Sequence, residues 1–366
     1  MLTEWRPFLF QKNRVRRTYL GGKLIDCWQG VNGTEDRYFP EEWIGSVVDA
    51  IGFYKEKIPD EGQSFVELGD GCIIKFKDLI HENPEAVLGR GHVQKYGEST
   101  ALLVKMLDSA QKLSIQVHPD RIQSKRLFHS PFGKTESWYV IETRVIDGQE
   151  PYMLLGFKEG ITREKWERMF FEQDLKGLFN ALQKVPIRPG EMYLVEGGIP
   201  HAIGPGCFVA EIQEPTDYTM TVERANCKTL YRTDEMCHMG VGMEGMFDCF
   251  HYTGMSLDEV YAKWRIPPQI CGNSIQNKRT LLMNRTTIQY FGLERYDVQT
   301  DMEMVHGNTF SFLTVLSGNG KIRYNDKEYA VFQGESFLIP AVCEHVYLIA
   351  SDAKKPFVCI NSLPPL

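Results

Sequence analysis

Apolar residues along this chain fall mostly in short runs closed off by Gly, Pro, Asn and Asp. LSIQVHP at 113–119, EMYLVEGG at 191–198, FSFLTVLSGNG at 310–320 and SFLIP at 336–340 are of this kind, and each predicts a strand. Helical spacing is confined to a few places. Over 162–184, Trp166, Met169, Phe170, Leu175, Leu178, Phe179 and Leu182 approximate an apolar stripe, with Thr162 placed as its N-cap. SLDEVYAKW at 256–264 predicts a second helix, because Ser256 followed three residues later by Glu259 makes a capping box. Apolar residues at mixed three- and four-residue spacing predict a further short helix within 75–90.

A phrase recurs in the two halves. Gly190 is followed by EMYLV, EGGIP and His201, and Gly334 by ESFLI, PAVCE and His345, so each His stands eleven residues after its Gly. Such a phrase encodes a turn, a strand of alternating exposure, a second tight turn and a His re-entering a barrel. It resembles the second motif of the cupin superfamily, departing at Glu196 in the first copy and at Val342 in the second. The resemblance implies a mostly β protein of two cupin-type jelly-roll modules with a helical insertion near 162–184. The expected division is a catalytic module at 1–255 and a degenerate module at 256–366. The second copy lacks an upstream pair of convergent ligands, so no metal is expected there, and His345 reads as structural.

Length agrees with two modules, since 366 residues exceed what one core usually serves. A net charge of −7 lacks the basic footprint of a nucleic-acid binder. No run approaches the roughly 18 uninterrupted apolar residues of a membrane span. The protein is therefore expected in the cytoplasm. Its nine cysteines include no CxxC pair, which predicts reduced thiols rather than a disulfide framework or a cysteine metal site.

The chemistry is expected in the first half. Strand periodicity puts Gln116 and His118 on one face, while Glu136 and His201 arrive from later segments. Two imidazoles, a carboxylate and an amide oxygen suit Zn2+, one per chain, or another divalent ion. LSIQVHPD at 113–120, GKTESWYV at 133–140, IPHAIGPG at 199–206 and EIQEPTD at 211–217 resemble, in order, the signature blocks of class I mannose-6-phosphate isomerases. EEWIGS at 41–46 and ALLVKMLD at 101–108 extend the likeness over the N-terminal two thirds. The resemblance implies that Gln116, His118, Glu136 and His201 are zinc ligands and that Lys134 is an active-site cation.

One departure is clear. Where family members commonly read SDTTYR, this chain reads TDYTMTVER at 216–224, so Thr221 stands in the arginine position and Arg224 is the nearest candidate to replace it. Ser114 shares a face with Gln116 and is a candidate substrate contact. Glu211 and Gln213 share a face on the strand after His201, placed to buttress a ligand or order a water, and His129 is expected exposed.

The function so implied is interconversion of mannose 6-phosphate and fructose 6-phosphate through a metal-assisted enediol. Two alternatives stay open: a metal-dependent isomerase or epimerase of another sugar, favoured by the missing arginine, and a sugar-binding cupin without catalysis. Oxygenase chemistry is a remoter option. The partner is a hexose phosphate, not nucleic acid or membrane; the sequence leaves the oligomeric state open.

Overall fold

The computed structural model describes residues 4–52, 58–69, 71–226, 230–274, 276–304 and 306–366. Four β-sheets stack face to face, as the short two-sided apolar runs require: a strand buried on both faces must have a neighbour on each. A four-stranded sheet (Asp301–Met304, Val346–Ala350, Gly320–Tyr324, Lys327–Val331) closes over part of a nine-stranded one. Val315, Phe337, Cys359 and Leu348 fill the space between them. The outer face of the nine-stranded sheet packs against a six-stranded sheet, with Phe312, Leu338 and Ile360 meeting Val104, Met106 and Phe208. Next comes a five-stranded sheet, and Leu107, Trp138 and Val140 interdigitate there with Met153, Leu155 and Ile203.

The expected boundary at 255/256 is crossed by this topology. Phe8–Phe10 pairs with Ser336–Ile339, and Phe65–Gly69 and Cys72–Lys75 continue the same sheet, so the first 75 residues lend three strands to the C-terminal module. Sequence periodicity specifies that a segment is a strand, but not which sheet edge it joins.

The helical insertion covers the outer face of the five-stranded sheet. Trp166, Phe170 and Leu178 bury themselves against Ile115, Val117 and Leu154, each worth about 1.5–3 kcal/mol. The stripe expected as one helix over 162–184 is two, Arg163–Glu172 and Leu175–Asn180, followed by the strand Leu182–Pro186. Gln173 takes a left-handed conformation (φ 51°) that ends the first helix, and the Asp174 side chain accepts from the Gly177 N–H to start the second. Thr162 caps the first helix, accepting from Lys165 N–H. The capping box at Ser256 and Glu259 is present and opens the helix Leu257–Trp264. Residues 75–90 hold two short helices, Phe76–Glu82 and Pro84–Leu88.

In the second copy of the repeated phrase, Ser336–Ile339 forms the expected strand, but His345 does not re-enter the barrel. Its side chain is 76 % exposed and pairs with Glu303 at 3.0 Å. Cys343 and Val346 take the buried positions around it. Among the described residues no helix is long and apolar enough to cross a membrane.

Candidate metal centre

The metal donors converge because three adjacent strand ends supply them. Gln116 lies directly opposite His201 in the five-stranded sheet, and Glu136 begins the strand Glu136–Thr143 of the facing sheet. His118 lies two residues beyond Gln116, so all four side chains enter one space between the sheets. His118, Glu136 and His201 are each about 1 % exposed, and one donor atom from each lies within 4.8 Å of the other two. Among the described residues this is the one such group of three.

The hydrogen bonds around the imidazoles fix which nitrogen faces inward. His118 Nδ1–H donates to the Tyr218 carbonyl at 2.8 Å, and His201 Nδ1–H donates to the Ile199 carbonyl at 2.8 Å. Both Nε2 atoms therefore carry a bare lone pair. They accept N–H groups, His118 from Lys134 Nζ at 2.6 Å and His201 from Gln116 Nε2 at 3.2 Å. Half a turn of the Gln116 amide about its Cγ–Cδ bond would present Oε1 instead, because a carboxamide has nearly the same shape both ways round. Burial, and after it the Lys134 ammonium, pushes the His118 pKa down to about 3; burial lowers that of His201 as well. Both rings are thus neutral and metal-competent near neutrality.

Glu136 is ionised. Its burial opposes the charge, but the Lys134 ammonium beside it outweighs that and holds the carboxyl well below the usual range. Its Oε2 accepts from Lys134 Nζ at 2.9 Å, whereas its buried Oε1 accepts nothing among the described residues and sits 3.4 Å from His201 Nε2. An orphaned carboxylate oxygen facing two imidazole lone pairs is a donor set for a divalent cation. The Lys134 ammonium is the counter-charge it meets here.

The centre opens onto a cavity through Gln116 and Lys134. Gln116, Lys134, Ser114, Glu211 and Thr221 are among its walls. Ser114 Oγ is buried and has no partner among the described residues, in keeping with a side chain left to meet a ligand. Glu211 pairs with Lys105 at 3.0 Å, and burial first, then the neighbouring charge of Glu136, raises its pKa. Gln213 is buried behind the wall, where its amide donates to the Glu214 and Thr216 carbonyls and so holds the turn that leads to Asp217. Thr221 Oγ1 donates to the Ile115 carbonyl.

Arg224, expected as the replacement arginine, is not in the wall. Its guanidinium pairs with Asp234 and lies 4.7 Å from the centre of the Phe170 ring. The charged residues that do line the cavity include several the sequence reading passed over: Arg17, Glu41, Lys105, Asp217 and Arg232. Arg17 bridges Glu41 at 3.0 Å and Asp217 at 3.3 Å. A signal was available for Lys105, through its partner Glu211, which the sequence already singles out. Lys105 interrupts the apolar run ALLVKML and Glu211 interrupts FVAEI, and a charge in the middle of a doubly buried strand needs a partner across the sheet. These two are direct neighbours in the strand pairing.

The stacked jelly rolls and the buried His–Glu–His cluster, the one such cluster among the described residues, together define a double cupin with a candidate metal centre. Residues 63–138 match the family model for the catalytic domain of type I phosphomannose isomerase, and residues 283–351 that for the cupin domain of mannose-6-phosphate isomerase. Both matches are to models of one enzyme family, so the chain is similar to type I phosphomannose isomerases in each of its halves. A Bacillus subtilis protein described as a probable mannose-6-phosphate isomerase, GmuF, is 29 % identical over 248 residues, covering 67 % of this chain and 70 % of that one. The crystal structure of the Bacillus subtilis mannose 6-phosphate isomerase superimposes with a TM-score of 0.73 at 21 % identity, covering 98 % and 99 % of the two chains. A zinc-bound mannose 6-phosphate isomerase structure gives the same TM-score at 15 % identity, covering 98 % and 100 %. At such identities the likeness is one of fold.

Proposed function

We propose that the protein interconverts mannose 6-phosphate and fructose 6-phosphate, with one Zn2+ held by Gln116, His118, Glu136 and His201. The observation that carries this reading is the meeting of two unprotonated imidazole Nε2 atoms and a buried Glu136 Oε1 with no partner among the described residues, next to Gln116 and Lys134 in the wall of a charged cavity. The matches to the two family models and to the Bacillus subtilis relative support the substrate pair, and the zinc-bound structure of the same fold supports the ion. A divalent ion in this set supplies Lewis-acid polarisation of the sugar carbonyl and alignment of the neighbouring hydroxyl.

The reaction moves a proton between C1 and C2 of the sugar through an enediol, so charge develops on the two adjoining oxygens. Lys134 contributes an ammonium close to that charge. It contacts His118 and Glu136 and also lines the cavity, and its flexible four-carbon stem gives the ammonium reach to a ligand there. Glu211 is the wall carboxyl suited to take and return the proton, since its raised pKa moves it toward the working pH. Ser114 Oγ offers a hydrogen bond to a sugar hydroxyl, and Gln213 acts through the turn it holds. Residues 1–255 carry the chemistry in this reading, while 256–366 support it by packing.

A coupled assay of zinc-loaded protein with mannose 6-phosphate tests the proposal, beside unphosphorylated mannose and a Glu136→Ala variant. Turnover is expected with wild type. Glu136→Ala should lose both stoichiometric zinc and turnover, by at least about a thousandfold for a metal-dependent polarisation worth several kcal/mol. A zinc-free Glu136→Ala variant that still turns over at the wild-type rate would remove the metal from the mechanism.

A further inference from the structure

Glu214 follows the strand Cys207–Gln213 and is completely buried. A carboxylate in that position needs donors, and Glu214 takes them from two segments that carry metal donors. Its Oε2 accepts the N–H of Thr135, the residue between Lys134 and Glu136, at 3.0 Å. Its Oε1 accepts Arg121 Nε–H, three residues beyond His118, at 2.6 Å. The Glu214 N–H in turn donates to the Thr135 carbonyl at 3.0 Å, so both backbone groups of Thr135 end on Glu214. The Thr135 side chain holds a third segment, its Oγ1 accepting from the Gly197 N–H at 3.3 Å in the loop before His201. Gly133 permits this approach, since a Cβ there would stand 2.8 Å from the Pro119 carbonyl oxygen. On its other side, the Arg121 guanidinium lies 4.5 Å from the centre of the Tyr290 ring, which belongs to the C-terminal half.

We propose that Glu214 and Arg121 are positioning residues of the metal centre, tying the Lys134–Glu136 segment to the one that carries His118, with Tyr290 steadying the guanidinium. The inference rests on the reading of Gln116, His118, Glu136 and His201 as the metal donors. The strands Gln116–Val117 and Glu136–Thr143 belong to different sheets, so no strand ladder sets the separation of His118 from Glu136. A carboxylate with one oxygen on each segment does so through charge-assisted, directional bonds. Metal affinity depends on how closely donors are held in place before the ion arrives, and losing an outer partner of the donors commonly costs about ten- to a hundredfold. An amide at position 214 would accept at one end only and present N–H groups at the other, so it would keep one of the two links.

The experiment measures zinc affinity by chelator competition for wild type, Glu214→Ala, Glu214→Gln, Arg121→Gln, the Glu214→Ala/Arg121→Gln double variant and Tyr290→Leu. Thermal melts of the metal-free proteins, visible absorption of the cobalt-substituted proteins and kinetics with mannose 6-phosphate accompany it. Glu214→Ala should bind zinc about ten- to a hundredfold more weakly and shift the cobalt spectrum, with Glu214→Gln and Arg121→Gln between it and wild type. The double variant should bind no worse than Glu214→Ala, because both changes break one link. Tyr290→Leu should lose about two- to fivefold, the worth of a cation–ring contact. At saturating zinc, kcat should fall with KM little changed. A metal-free melt that drops in Glu214→Ala while zinc affinity and cobalt spectrum stay at wild-type values overturns the inference, since Glu214 then supports only the fold. If neither Glu214 variant folds, wild-type zinc affinity in Arg121→Gln, whose side chain is 40 % exposed, overturns it instead. Wild-type affinity in Tyr290→Leu overturns the part given to that ring. Wild type that binds zinc without turning over mannose 6-phosphate sinks the isomerase reading, while the zinc affinities still decide the positioning role. Wild type that binds no zinc overturns both.

Discussion

Beside the metal donors, the side chains that decide most at the residue scale are the buried charges. Lys105 Nζ sits 3.0 Å from Glu211 and 4.0 Å from Asp217, with its ammonium 4.9 Å from the centre of the Trp43 ring. Removing one member of such a pair leaves its partner's charge uncompensated. Lys105→Met is expected to cost about 3–5 kcal/mol, measured by urea unfolding of the metal-free protein; a loss under about 1 kcal/mol would mean that water reaches Glu211. Glu41 behaves differently. Burial alone would raise its pKa, but Arg17 and Lys105, with hydrogen bonds from Trp43 and Tyr19, hold it down at about 2 against 4.5 for the free group. A depressed carboxyl contributes stability that is full above the unfolded value and is lost as pH falls from about 4.5 towards 2. Glu41→Gln should therefore be less stable than wild type at pH 7 and lose less of its stability across that acid window. Parallel acid-unfolding curves for the two proteins would contradict the assignment.

Element geometry is tightest where the modules meet. Gly45 ends the strand Glu41–Ile44 in a left-handed conformation (φ 61°), and a Cβ there would stand 2.2 Å from the Phe312 ring. That ring cannot yield, because Phe10, Phe76 and Phe310 pack round it with centroids 5.2–5.9 Å away. Gly45→Ala combines backbone strain with overpacking, so a loss of about 2 kcal/mol or more is expected in chemical denaturation. Helix ends, in contrast, were readable in advance. Thr162 and the Ser256–Glu259 box cap as their spacing predicts, since a cap is satisfied by residues two or three positions away. The break at Gln173 was not readable, because the apolar stripe runs on through it and a left-handed Gln carries no composition signal.

For the whole molecule, one core joins both modules. Phe8, Phe76, Val104, Phe208, Phe312 and Ile360 belong to the same buried cluster, and Trp28 Nε1 donates to the Val315 carbonyl across the interface. Three strands of the nine-stranded sheet come from the first 75 residues. Residues 256–366 expressed alone should thus fail to fold, because they leave a long unpaired edge and one bare apolar face. The intact chain should melt in a single calorimetric transition, with van't Hoff and calorimetric enthalpies agreeing. A soluble 256–366 fragment with its own cooperative melt would restore the division at residue 255.

The sequence by itself determined the strand-rich character, the two-fold repeat, the caps, and the candidate donor group Gln116, His118, Glu136 and His201, whose motifs carry the family resemblance. These depend on residue type and short-range spacing, which a linear chain displays directly. Only the tertiary structure decided that His345 lies outside its barrel, that the N-terminal strands belong to the C-terminal sheet, and that Arg224 turns to Asp234 while Arg232 faces the cavity. Each of these depends on which distant residue offers the better partner. Sheet-edge choice, ring packing and ion pairing between positions far apart in the chain are settled by the free energy of the assembled whole, and no local period encodes them.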